Sequence, residues 1–339
     1  MRAVVLAEGG VRVEDRPAPE PGPGWARLAV RLAGVCSTDL QLRRGYMGFR
    51  GVLGHEVVGV VDRGPPGWLG RRATAEINFA CGACAACARG LGRHCPTRTV
   101  LGILGADGCM AEHVAVPLAN LHALPDGVPD EAAVFAEPLA AAYEVLEQVH
   151  VRPGTPAVVL GDGKLGLLCA LALRQAGARV VCVGRHARKR SLLEAVGVAT
   201  RPADALDPAA AGAGGGAALA LAGALGLDLA PGERVPLVVE ATGSADGLAL
   251  AIALVAPRGT LVLKSTVADR HHLSLAPLVI DEVTVVGSRC GPFAPALDAL
   301  ARGAIDPRPL VERVYPLEEG PAALDHAATS GALKVLLRP

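Results

Sequence analysis

The spacing of apolar positions changes character along this 339-residue chain, and the changes outline its organisation. Over roughly the first 120 residues, apolar side chains alternate with polar ones or come in short β-branched runs. Strands are predicted at 2–6 and 11–15 around Glu8-Gly9-Gly10, at 25–32 after a proline-rich connector (17–23), and at 57–61, 72–77 and 110–116. Ser37-Thr38-Asp39, directly after Cys36, reads as a helix start. The result is an all-β unit with inserted loops. From Asp130 the apolar spacing becomes three to four residues, predicting helix over 131–149. That helix is interrupted at Glu137-Pro138, where the proline is expected to fix the turn that carries Glu137.

Strands and helices then alternate: strand 157–160, helix 167–176, strand 179–183, helix 188–196, strand 236–240, helix 245–255, and strands 260–263 and 283–286. Such alternation predicts an α/β unit with a doubly wound parallel sheet. After Gly291 come a helix at 294–301, loops, and a last strand at 333–337 that is expected to return to the first domain. The expected divisions are 1–140, 141–291 and 292–339. One stretch breaks the rhythm. Residues 209–227 carry no charge and are nearly all Ala and Gly, too weakly hydrophobic for a membrane span. They read as a low-complexity surface excursion, and the order of 205–232 is left open.

Apolar residues make up 51% of the chain and the formal net charge is zero. No electrostatic argument therefore exists for a nucleic acid or an anionic membrane as partner. Met1 to Leu6 lacks the layout of a signal peptide, so a cytoplasmic location is expected, with the nine cysteines reduced or metal-bound.

Three groups of residues carry candidate chemistry. His55-Glu56 enters the apolar run 57–61, and a carboxylate buried there costs several kcal/mol unless a cation meets it. Cys36 and Glu137 are further donors, and one thiolate, one imidazole and one or two carboxylates suit a zinc with an open position. The second group is Cys81, Cys84 and Cys87, with Cys95 after seven intervening residues. Four thiols in one short loop (81–95) make a closed tetrahedral, structural zinc site. An iron–sulfur cluster is the competing reading, but its cysteine run needs a shorter last spacing. The third is Gly161-Asp162-Gly163-Lys164-Leu165-Gly166, a G-x-G-x-x-G between a strand and a helix, suited to a pyrophosphate.

The second strand of that unit ends in Gly184-Arg185-His186, where an NAD site usually has an acid, with Lys189 and Arg190 beyond. A missing acid and nearby cations point to NADP(H) in preference to NAD(H).

Cys36, Gly54-His55-Glu56, the four-cysteine loop and the Gly161–Gly166 turn occur together and in order, and they resemble the zinc-containing medium-chain alcohol dehydrogenases. The match covers essentially the whole chain. Glu137-Pro138-Leu139 looks closest to the polyol, glucose and threonine dehydrogenase branch. The resemblance implies a GroES-like, mainly β catalytic domain, a Rossmann coenzyme domain, and a cleft between them for substrate, nicotinamide and catalytic zinc. It implies two zinc ions per chain, Cys36 and His55 as constant ligands, and Glu56 and Glu137 as ligands or close neighbours of the metal. It also implies that Asp39 sets the His55 tautomer, that Thr38 passes the alcohol proton, and that Gly161, Gly163, Lys164, Leu165, Gly166, Gly184, Arg185, Lys189, Thr242 and Arg289 bind coenzyme. Gln41, where the classical relay has a histidine, and the short segment after Gly59 depart from the family pattern.

The expected reaction is reversible oxidation of an alcohol (a polyol, sugar or amino alcohol) by hydride transfer to the nicotinamide, in a homodimer or homotetramer. Two alternatives stand beside it. One is a non-catalytic NAD(P)-binding sensor or scaffold with only the structural zinc. The other is a zinc-independent quinone or enoyl reductase of the same fold.

Overall fold

The computed structural model describes residues 1–206, 215–266 and 273–339, and the chain divides into two compact units, Met1–Glu137 with Phe293–Pro339, and Pro138–Pro292.

The first unit is mainly β. Arg2–Ala7 and Gly10–Asp15 form an antiparallel hairpin in which Ala7 faces Gly10, leaving Glu8-Gly9 as a two-residue turn. The main sheet centres on Trp25–Gly34, which pairs antiparallel with Glu56–Arg63, His113–Pro117 and Lys334–Arg338. Val57, Val58 and Val61 are buried, as their β-branched run suggests. The register sets Gly34 opposite Glu56, and the final strand joins at Leu336 opposite the same Gly34. Residues far apart in sequence thus meet at one end of this sheet.

Two expectations for this unit change. The helix break falls at Val134–Phe135, between helices Asp130–Ala133 and Ala136–Gln148, and Glu137 lies in the first turn of the second helix. Proline is tolerated there because first-turn N–H groups have no intrahelical partner. Strand Val311–Pro316 and helix Gly320–Ala327 occupy what reads as loop in the sequence. The strand lies at the sheet edge with only Tyr315 fully buried, so its apolar signal is weak.

Among the described residues of the second unit six strands, all parallel, stand in the order Ala199–Pro202, Arg179–Gly184, Pro156–Leu160, Val235–Glu240, Val255–Leu263, Thr284–Gly287. Numbered within the unit this is the 3-2-1-4-5-6 order of a Rossmann fold, and the strand order reverses between Pro156–Leu160 and Val235–Glu240. The short edge strand Ala199–Pro202 is absent from the sequence reading, since only Thr200 of its residues is buried.

The Ala/Gly excursion is a correction. Gly215–Ala224 is a helix, and Leu221, Ala222 and Leu225 pack into the core with Val158, Val181 and Leu250. Uniform Ala and Gly hide the apolar stripe, because alanine reads as neither face. Residues 207–214 of that excursion lie outside the described residues. Among the described residues no helix is long and apolar enough to cross a membrane.

Candidate metal centres and coenzyme turn

The first donor set is built where strand ends meet a helix start. Cys36 caps helix Ser37–Arg43, and Asp39 of its first turn accepts the Cys36 backbone N–H at 2.8 Å through Oδ2. The other oxygen, Oδ1, stands 3.4 Å from His55 Nδ1. Both atoms are buried without a hydrogen bond of normal length. A proton on Nδ1 directed at Asp39 would leave Nε2 available to a metal, a common arrangement for metal-binding histidine. Burial works against a charged imidazole, yet Asp39 and then Cys36 outweigh it and hold the His55 pKa well above the usual histidine value. Donor atoms of Cys36, His55 and Glu56 lie within 4.8 Å of one another. A soft thiolate, an imidazole and a carboxylate at that spacing fit a zinc ion. Thr38 Oγ1 stands 3.8 Å from Cys36 Sγ. Half-buried Glu137 is not in that close group, although its charge acts on Lys334.

Lys334 is the residue the sequence reading missed. Its Nζ donates to both Glu56 oxygens, at 2.7 and 2.6 Å, and lies 5.6 Å from the centre of the Phe135 ring. Lysine and glutamate are both fully buried. Burial disfavours the charged lysine, but Glu56 and then Cys36 raise its pKa above 10.5. The cation demanded by the buried Glu56 is therefore supplied by the protein itself. Gly34 leaves room for this carboxylate, since a Cβ there would collide with Glu56 Oε2. A lone lysine inside Leu333–Leu337, an otherwise apolar strand, is the signal that marks it in the sequence.

The second set lies in the loop containing the short helix Ala85–Ala88. Sγ separations are 3.5 Å for Cys84–Cys87, 3.8 Å for Cys84–Cys95 and 3.9 Å for Cys81–Cys87, and all four sulfurs lie within 4.8 Å. The Cys81 amide, with Thr97, pulls the Cys95 thiol down to about 6. Burial and the contact with Cys84 push Cys87 up to about 11. This donor set fits a tetrahedral zinc closed to substrate. Cys95→Ser should remove one zinc per chain and lower Tm, because metal binding in so small a segment is folding free energy. Metal analysis and thermal melting check this, and unchanged values would refute a metal-binding loop.

In the second unit the glycine turn lies at the reversal point of the sheet. Gly161 has φ +111°, and a Cβ on it would lie 2.6 Å from the Ala241 carbonyl oxygen. Gly166 permits the helix to approach, since its Cβ would strike the Gly161 carbonyl. Gly163 caps helix Lys164–Gln175 and is exposed, with open space where a Cβ would stand, so the first-turn amides of Lys164 and Leu165 border a cradle for a pyrophosphate. On the neighbouring strand, buried Glu240 accepts Thr242 N and Oγ1 at 2.6 and 2.5 Å and so shapes that turn. The basic segment is less uniform than its sequence suggests. Arg185 is exposed, Lys189 is buried, and Arg190 donates to the Gly184 carbonyl at 3.0 Å. Arg289 is exposed, and its carbonyl accepts from buried Lys264 at 2.9 Å.

A dinucleotide-type sheet together with two donor clusters suited to zinc defines the class of zinc-binding, nicotinamide-linked oxidoreductases. Comparison with known proteins agrees. Residues 22–126 match the alcohol dehydrogenase GroES-like domain and residues 165–302 the zinc-binding dehydrogenase domain. The chain is 29% identical to a sorbitol dehydrogenase of Halalkalibacterium halodurans, over 100% of this chain and 99% of that protein. It is 30% identical to an L-threonine 3-dehydrogenase of Streptomyces avermitilis, over 99% of each. A Sinorhizobium meliloti 1021 structure bound to NADP superposes with a TM-score of 0.87 at 31% identity, covering 100% of this chain and 99% of that one. The chain belongs to the medium-chain dehydrogenase family of zinc-binding alcohol dehydrogenases. It is an NAD(P)-dependent alcohol oxidoreductase.

Proposed function

We propose that the protein is a zinc-dependent dehydrogenase that interconverts a polyol, sugar or amino alcohol with its carbonyl compound, using NADP(H) in preference to NAD(H). The observation that carries this reading is the meeting of Cys36, His55 and Glu56 within 4.8 Å, separate from the closed four-thiol loop. Cys36 and His55 hold the catalytic metal, with Glu56 beside them in the close group and Glu137, which stands outside it, as a further donor. Glu56, held by Lys334, lines the same space and balances its charge. Bound zinc supplies Lewis-acid polarisation of the substrate oxygen. Asp39 fixes the His55 ring, and the Thr38 hydroxyl takes the alcohol proton toward solvent. The glycine turn with Gly184, Arg185, Lys189, Thr242 and Arg289 binds the coenzyme that accepts the hydride.

Similarity to a sorbitol and a threonine dehydrogenase supports the hydroxylated substrate classes, and the NADP-bound relative supports the coenzyme. A homo-oligomer is part of the proposal. It is supported by edge strand Thr284–Gly287 beside helix Ala276–Ile280, where Val279 and Ile280 are 76% and 78% exposed. A monomer mass in solution would remove that part.

The deciding experiment is a screen of polyols, aldoses, amino alcohols and simple alcohols with NAD and NADP in parallel, on enzyme of counted zinc content. Two zinc ions per chain and chelator-sensitive turnover are expected. Full turnover after metal removal would end the zinc reading, and a higher kcat/KM for NAD would end the NADP reading.

A further inference from the structure

Strand Arg179–Gly184 ends without an acidic residue, yet a carboxylate stands beside it. Asp162, the middle residue of Gly161-Asp162-Gly163, is only 6% exposed and reaches from the glycine turn to the end of this neighbouring strand. Its Oδ2 accepts the His186 backbone N–H at 2.6 Å, and His186 Nδ1 lies 3.2 and 3.1 Å from Oδ1 and Oδ2. Gly184 makes this possible, because a Cβ there would lie 2.6 Å from both Asp162 Cγ and Oδ2. Arg190 holds the same turn from the other side through the Gly184 carbonyl.

We propose that Asp162 sets the coenzyme preference as a positioning residue, by fastening the Arg185-His186 turn so that the Arg185 guanidinium faces a 2′-phosphate. The proposal rests on the NADP reading above. A free strand-end carboxylate would accept hydrogen bonds from the ribose hydroxyls and repel that phosphate. Here both oxygens are engaged by His186, and a short charge-assisted bond to a backbone amide is hard to exchange for a hydroxyl. The carboxylate is buried and hydrogen-bonded by the His186 amide, while Arg185 and Arg188 remain exposed. Gly184 and Asp162 act as a unit, since neither side chain space is compatible with a larger residue at 184. For that reason Gly184→Asp is not a clean route to an NAD-preferring enzyme, as it would displace Asp162 first.

The test is steady-state kinetics with NADP and NAD separately for wild type, Asp162→Ala, Asp162→Asn, Gly184→Ala and the Asp162→Ala/Gly184→Ala pair. Asp162→Ala should raise KM for NADP about tenfold with kcat retained, and change KM for NAD by less than about twofold. Asp162→Asn, which keeps the volume and an acceptor for the His186 amide, should shift NADP in the same direction by less. Gly184→Ala should reproduce the Asp162→Ala shift by pushing the carboxylate aside, and adding it to Asp162→Ala should change little more. A selective rise in KM for NAD would mean that Asp162 itself holds the ribose, and equal rises for both coenzymes would mean a structural role; either overturns the proposal. The wild-type coenzyme ratio judges the NADP reading independently. If wild type favours NAD while Asp162→Ala still lowers the NADP/NAD ratio, that reading fails and the role of Asp162 stands.

Discussion

Cys36→Ser and His55→Ala should each lower kcat for alcohol oxidation by about a thousandfold or more, the equivalent of the several kcal/mol a Lewis-acid metal supplies. Both side chains belong to the three-donor group, and no other sulfur lies in it. The zinc count should drop from two to one per chain, since the four-thiol loop keeps its own complete donor set. Coenzyme binding, measured by nicotinamide fluorescence, should persist because Gly161–Gly166 belongs to the other compact unit. Near-wild-type kcat from either variant in metal-free buffer would show that the chemistry runs without this centre.

Lys334→Met should destabilise the fold by about 3–5 kcal/mol, the usual cost of leaving one member of a buried ion pair without its partner. Glu56 would then be a fully buried carboxylate with neither of its 2.7 and 2.6 Å bonds to Lys334. The Glu56→Gln/Lys334→Met pair should recover much of the loss, because both charges go together. Urea unfolding of metal-free protein measures both. A single variant as stable as wild type would mean that water or another cation reaches Glu56. The pH dependence has a defined sign. Lys334 is raised above its ordinary 10.5, so its contribution is complete below that value and is lost only as pH climbs through the raised one. Across the neutral range the lysine's contribution should therefore be insensitive to pH.

The donor sets were legible for different reasons. The four cysteines are close in sequence, so loop spacing alone brings them together. Cys36 and His55 are separated by a strand crossing, and their meeting follows from the pairing of Trp25–Gly34 with Glu56–Arg63. Their residue types identified them, but only pairing placed them. A carboxylate buried like that of Glu56 needs a cation beside it. That cation is Lys334, on a strand that reaches Glu56 only because the chain returns to the first sheet.

Hydrophobic periodicity and short-range motifs by themselves determined the β unit, the parallel α/β unit, the glycine turn and the thiol loop. Each of these depends on contacts among residues near in sequence or on a repeat that a strand or helix must bury on one face. Tertiary structure alone decided which charges neutralise each other and which glycines are indispensable. Asp162 reaches the end of the second strand and accepts the His186 amide there, and it fits because Gly184 carries no side chain. The Ala/Gly stretch became a core helix once Leu221 and Leu225 had a sheet to pack against. Those outcomes depend on which distant segments share a few ångströms, and a one-dimensional pattern holds no record of such distances.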